Sequence, residues 1–281
     1  MPQADRLVKT SDCFQLWFGQ DEVRFFALVT MFITGLFLVR RQMRIGLLAI
    51  LLLMAGVTGP LGIAAAALLD DQRYPASGDR LLLWVSYERG RAAAEISAAE
   101  ALAEAGVEVW SLDPTSSYFL PQLGRSMDVV PQEDVADWMR TALASGKQVT
   151  IYAVARAAVP VLRGLAALEP AQRAAICVML MYPNIYREAE PLAEPDYLDF
   201  GSLEGVRIRI LQPRRSAATP WLPGRLEALQ KLGATVSAVI LENLRENFWA
   251  REAPTEFEMS EGRRLDAVLL REMESWGCHQ E

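Results

Sequence analysis

The chain has 281 residues, which at roughly 150 residues per domain predicts one large domain or two small ones. Hydrophobic residues make up 52% and charged ones 22%, so the chain is no disordered polymer, and a net charge of -7 leaves no basic footprint for nucleic acid. A single histidine excludes multi-histidine metal sites, and three widely spaced cysteines match neither a zinc pattern nor a disulfide framework. No glycine-rich phosphate-binding pattern occurs, so no cofactor and no metal is expected.

After an N-terminal tail (1–24), the apolar excess lies at 25–69. Phe25 to Val39 is uncharged, Arg40, Arg41 and Arg44 follow, and Ile45 to Leu69 is again uncharged. A bilayer core takes about 20 apolar residues in a helix. The second run is long enough to span. The first would need snorkelling of Arg24 and membrane thinning. Either the two runs form a helical hairpin or the second acts alone as a signal anchor. By the positive-inside rule the arginines stay in the cytoplasm in both cases. The C-terminal domain is then expected on the periplasmic face of a bacterial inner membrane, with the lipid bilayer as a partner. A cleaved signal peptide is the rival reading, with Ala64, Ala65 and Ala66 as the small-residue site. Gly56, Gly59 and Gly62 would allow close helix approach, or Pro60 a kink.

Residues 70–79 (DDQRYPASGD) read as a polar linker, and 80–281 as the folded domain. Strands are predicted at 80–86, 107–112, 148–154, 174–181, 206–211 and 235–241. Helices are predicted at 92–105, 131–144, after 154 to about 168, 222–232 and 261–276. The strand at 206–211 alternates, which predicts a place near a sheet edge. Strand–helix alternation with continuous apolar strands predicts an α/β fold: a doubly wound, mainly parallel sheet covered on both faces. A flavodoxin-like or another doubly wound arrangement fits the same alternation.

After the strand 148–154 comes Ala153-Val154-Ala155-Arg156-Ala157. Its small flanking residues stand where a strand-to-helix elbow of the Gly-x-Ser-x-Gly type would have them. On this turn and the strand order, the region from about Arg80 to Trp276 resembles the α/β hydrolases. That resemblance implies a nucleophile at 155, where the sequence has alanine. It implies an acid in the loop 212–216 (QPRRS), which has no carboxylate. It implies a histidine within 242–249 (ENLRENFW), which has none. His279 lies beyond the closing helix, where a frayed terminus makes a poor general base. Three vacancies together oppose acyl transfer by the family's mechanism.

In a doubly wound fold the crevice lies at the carboxyl ends of the strands. Ser86, Tyr87, Glu88, Arg89, Asp113, Arg156, Asn184, Arg214 and Glu246 are the candidate lining. Arg156 opens a helix, where the dipole disfavours a cation. It is read either as an anion holder with Arg89 or as an ion pair to Glu88 or Glu246. Cys177 reads as a small core residue, and Cys13 with Cys278 as a conceivable pair in an oxidising compartment. The acidic stretch 188–199 is read as a solvated connection, with a lid as the alternative.

The expected function is a membrane-anchored, non-catalytic module that binds a small anionic or lipid-like ligand or a protein partner. The alternatives are an active hydrolase using a different set, such as Asp113, Ser116 or Glu246, and an accessory subunit of a membrane protein complex.

Overall fold

A computed structural model describes residues 71–187 and 195–279. The apolar runs at 25–69 and the acidic residues 188–194 lie outside the described residues. No helix among the described residues is long and apolar enough to cross a membrane.

The strands are β1 (Asp71–Tyr74), β2 (Arg80–Val85), β3 (Val107–Leu112), β4 (Gln148–Val154), β5 (Cys177–Met181), β6 (Arg207–Pro213) and β7 (Thr235–Leu241). They form a seven-stranded sheet in the order β1-β3-β2-β4-β5-β6-β7. All neighbours are parallel except β1, which runs antiparallel to β3. The helices are α1 (Ala93–Glu104), α2 (Pro114–Ser117), α3 (Gln132–Ala144), α4 (Ala158–Ala166), α5 (Pro170–Ala174), α6 (Leu222–Lys231), α7 (Glu256–Gly262) and α8 (Leu265–Trp276).

Because side chains alternate across a strand, each buried strand supplies two cores. Leu81, Leu83 and Val85 of β2 join Ile151 and Ala153 of β4 in one core, beneath Val135 and Met139 of α3 and Val161 and Leu165 of α4. Leu82 and Trp84 join Tyr152 and Val154 in the other, beneath Ala98 and Leu102 of α1 and Leu265 and Leu269 of α8. This two-sided burial is why the strands read as continuous apolar runs.

The structure corrects four expectations. The segment read as linker contains β1, a polar strand on the sheet edge that pairs from Asp71 with Leu112 to Tyr74 with Val109. The expected strand at 174–181 begins only at Cys177, since Pro170–Ala174 is helical. The closing helix expected from 261 starts only at Leu265, as α8, and is preceded by a separate helix, α7, that the sequence reading did not place. Cys278 bonds to Cys177, 101 residues away, so Cys177 is a buried bridge residue and Cys278 is not left for Cys13.

Candidate functional site

The turn after β4 places Ala155 at φ 49°, in the left-handed region that L-residues avoid. Its flanks Ala153 and Ala157 are fully buried, so nothing larger would fit beside it. The backbone N–H of Asn184 donates to the Ala155 carbonyl at 3.0 Å, tying the turn to the end of β5. Non-glycine residues with positive φ are Phe119, Ala155, Tyr182, Asn243 and Asn247 among the described residues. All five follow the carboxyl ends of strands β3, β4, β5 or β7. Asparagine tolerates this region through local hydrogen bonds, but alanine, tyrosine and phenylalanine do not. Strain is therefore stored at one end of the sheet.

At that end lies a cleft of about 650 Å³, within the range of small-molecule sites. Ala155, Tyr182 and Asn247 line it, together with Tyr87, Glu88, Arg89, Asn184, Tyr186, Glu246 and Arg251. Of the sequence candidates, Tyr87, Glu88, Arg89, Asn184 and Glu246 are thus brought together. Asn247 donates to the Tyr87 hydroxyl at 3.4 Å, and burial raises the Tyr87 pKa above that of a free phenol. Glu88 Oε2 and Asn247 Oδ1 are buried with no hydrogen-bond partner among the described residues. Such groups are costly unless something satisfies them.

Four candidates do not line the cleft. Arg156 sends Nε and Nη2 to Asp128 at 2.7 and 2.6 Å and Nη1 to Asn184 Oδ1 at 3.2 Å and to the Tyr186 carbonyl. It is a positioning group, and its carboxylate is neither Glu88 nor Glu246. Arg214 is exposed and paired with Glu242 at 2.8 Å. Asp113 is buried and caps α2, accepting from Ser116 N at 3.1 Å and Ser116 Oγ at 2.9 Å. Ser86 is fully buried, and its N–H donates to the Leu112 carbonyl at 2.9 Å. The anion-holding reading therefore loses Arg156 to Asp128, while Arg89 lines the cleft.

The loop after β6 offers Ser216, whose hydroxyl donates to the Glu246 carboxylate. His279 sits at the opposite end of the sheet, with Nε2 3.3 Å from Thr150 Oγ1. Thr150 and Ala155 are five residues apart on an extended segment, roughly 16 Å, so the sole histidine cannot serve the elbow. Burial lowers its pKa.

Two contributors escaped the sequence reading. Arg225 of α6 is fully buried and donates to the carbonyls of Pro183 at 3.0 Å and Ala218 at 2.6 Å and to Gln212 Oε1 at 3.0 Å. It thereby fixes two cleft-lining segments. Glu95 of α1 is buried beside Trp249, whose Nε1 donates to it at 3.1 Å. Burial pushes its pKa up to about 7. A buried ionisable residue inside an apolar helix pattern, not its spacing, was the available signal for each.

No protein-family profile matches this sequence, and no curated protein is similar to it in sequence. Solved structures are similar in fold. A candidate dienelactone hydrolase from Klebsiella pneumoniae superposes with a TM-score of 0.51 at 16% identity, covering 71% of this chain and 91% of its own. A hyperthermophilic esterase from Pyrobaculum calidifontis gives 0.52 at 11% identity, covering 77% and 88%. The fold is α/β-hydrolase-like. The left-handed turn after β4 is centred on Ala155. Here it carries a methyl group.

Proposed function

We propose that this α/β-hydrolase-like domain is a binding module, attached to a membrane by the N-terminal apolar runs and facing the periplasm. Its cleft takes an amphiphilic ligand without breaking it. The observation that carries the reading is the elbow itself: Ala155 is held in a strained conformation at the floor of an open cleft, yet has no atom that can attack a carbonyl. Strain persists where the surrounding structure over-determines it, which is typical of ligand sites. Tyr87, Tyr182 and Tyr186 offer an aromatic wall. Glu88 and Asn247 offer acceptors without partners of their own. With Glu88, Glu246 and Glu252 against Arg89 and Arg251, the lining favours a ligand with a neutral hydrogen-bonding head over an anion.

A second reading is hydrolysis by a different set. It is favoured by the names of the structural neighbours, an esterase and a candidate dienelactone hydrolase. Within the chain it rests on the Ser216–Glu246 pair beside the cleft. A carboxylate is a weak base toward an alkyl hydroxyl, since general-base efficiency needs a pKa near the working pH.

The two readings are separated by adding medium-chain glycerol monoesters to the purified full chain. The binding reading requires saturable binding with the ester recovered intact. Binding should be lost when tryptophan fills the cleft at Ala218 or Ala250. Steady release of fatty acid that these tryptophans abolish would replace it with the hydrolase reading.

A further inference from the structure

We propose that the carboxyl-end face of the domain docks on a lipid bilayer through the loop between β3 and α3, with Phe119, Leu123 and Val129 as the inserted side chains. This rests on the membrane attachment proposed above and adds the face that meets the lipid.

Phe119 is 94% exposed, Leu123 62% and Val129 65%. They are three of the five large hydrophobic side chains exposed among the described residues, the others being Phe257 and Met259 on α7. Scattered single apolar residues need no explanation, but a cluster in one loop marks an interaction surface. Phe119 adds an independent oddity, because its φ is 52°. A bulky residue in that region is strained, and an exposed ring gains no packing within the domain to offset the strain. Its neighbours Tyr118 and Leu120 do pack on the core, so the loop is firmly based while its tip is presented outward.

The connection to the N-terminus says what covers this tip. The uncharged run Ile45 to Leu69 ends one residue before Asp70. Asp71 then opens β1 in register with Leu112, the last residue of β3, and the loop bearing Phe119 begins at Asp113. Because β1 is antiparallel to β3, the chain enters the domain at the carboxyl end of the sheet. Two residues of extended chain reach about 7 Å. A bilayer that holds Leu69 therefore keeps the start of β1 and the paired end of β3 within reach of its surface. The aromatic and aliphatic tip fits the interfacial zone, where such side chains partition. The cleft mouth lies at the same end, so an amphiphile would enter it from the lipid.

The test uses the full chain with Cys13 replaced by serine, reconstituted in vesicles of phosphatidylethanolamine and phosphatidylglycerol. An environment-sensitive fluorophore is placed on Phe119→Cys, on Leu123→Cys in a separate chain, and on Glu104→Cys, which is exposed at the far end of α1. Docking requires loss of emission at 119 and 123 with lipid-borne quenchers and protection from iodide. The reverse pattern is required at 104. If the chain floats with the vesicles but 119 and 123 are quenched by iodide, the docking face is wrong and the attachment stands. Shielding from both quenchers would show a second copy of the chain covering the loop, which also overturns lipid docking. A chain that does not float with vesicles overturns the attachment and the docking together.

Discussion

Ala155 and Arg156 stand side by side and show how differently two residues of one motif depend on the rest of the molecule. The left-handed region costs an L-residue roughly 1–2 kcal/mol, and glycine would relieve that while adding about 0.4–1 kcal/mol of unfolded-state entropy. Ala155→Gly is therefore expected to stabilise the domain by up to about 1 kcal/mol in urea unfolding. A loss of stability would mean the turn is not strained. Arg156→Ala leaves Asp128 without its two charge-assisted donors and the Tyr186 carbonyl without one. Breaking a buried pair costs about 3–5 kcal/mol. Asp128 retains 28% of its side-chain exposure, so about 2–3 kcal/mol is expected here, read from the same unfolding curves. The sharp turn at 155 was legible from the small residues that flank it. The partner of Arg156 was not, because Asp128 belongs to a separate short helical segment, Gly124–Val129, and only tertiary packing brings it near.

Helix α1 links the core to the cleft through Glu95. One carboxylate oxygen accepts from Ala92 N at 3.0 Å at the start of the helix, and the other accepts from Trp249. Trp249 belongs to the same segment as Glu246 and Asn247. An unfolded glutamate titrates near 4.5 and the folded one near 7, so folding favours the protonated form. That contribution is complete below about pH 4.5 and is lost as pH rises through about 7. A shift of this size is worth about 3 kcal/mol. Glu95→Gln cannot ionise. The stability difference between the two proteins should move toward the variant by about that amount between acid and alkaline buffers, measured by thermal unfolding. A parallel pH dependence would place Glu95 in water. The buried strands and their helices were legible because two-sided burial writes long apolar runs. Strands β4 and β7 begin and end where the sequence places them. Strand β1 was not legible, since DQRY on an exposed edge carries no apolar alternation, and its pairing is set by the neighbouring β3. Helix α7 was not legible because it buries Glu258 and Gly262 and leaves Phe257 and Met259 exposed, the reverse of an apolar inner face.

The disulfide between Cys177 and Cys278 joins a central strand to the chain's last described turn. It closes a loop spanning 101 positions, for which loop-closure entropy gives about 4.7 kcal/mol. Cys278→Ser should lower the unfolding free energy by that amount, and wild type under reducing conditions should behave alike. Such a bond persists in oxidising compartments, which agrees with the proposed periplasmic face. The pairing was not legible, since Cys177 sits in a run that demands nothing but a small apolar residue. The architecture followed from strand–helix alternation, whereas the cleft lining depends on loops whose positions no periodicity encodes. With alanine in the turn after β4, a distant histidine and no carboxylate in the loop 212–216, the proposed function is that this α/β-hydrolase-like domain holds its ligand without acylation. Intact-mass spectrometry of the full chain after exposure to a fluorophosphonate addresses this most directly. The expected mass is that of the unmodified protein; an adduct mapped to Ser216, or to any other serine near the cleft, would contradict the account.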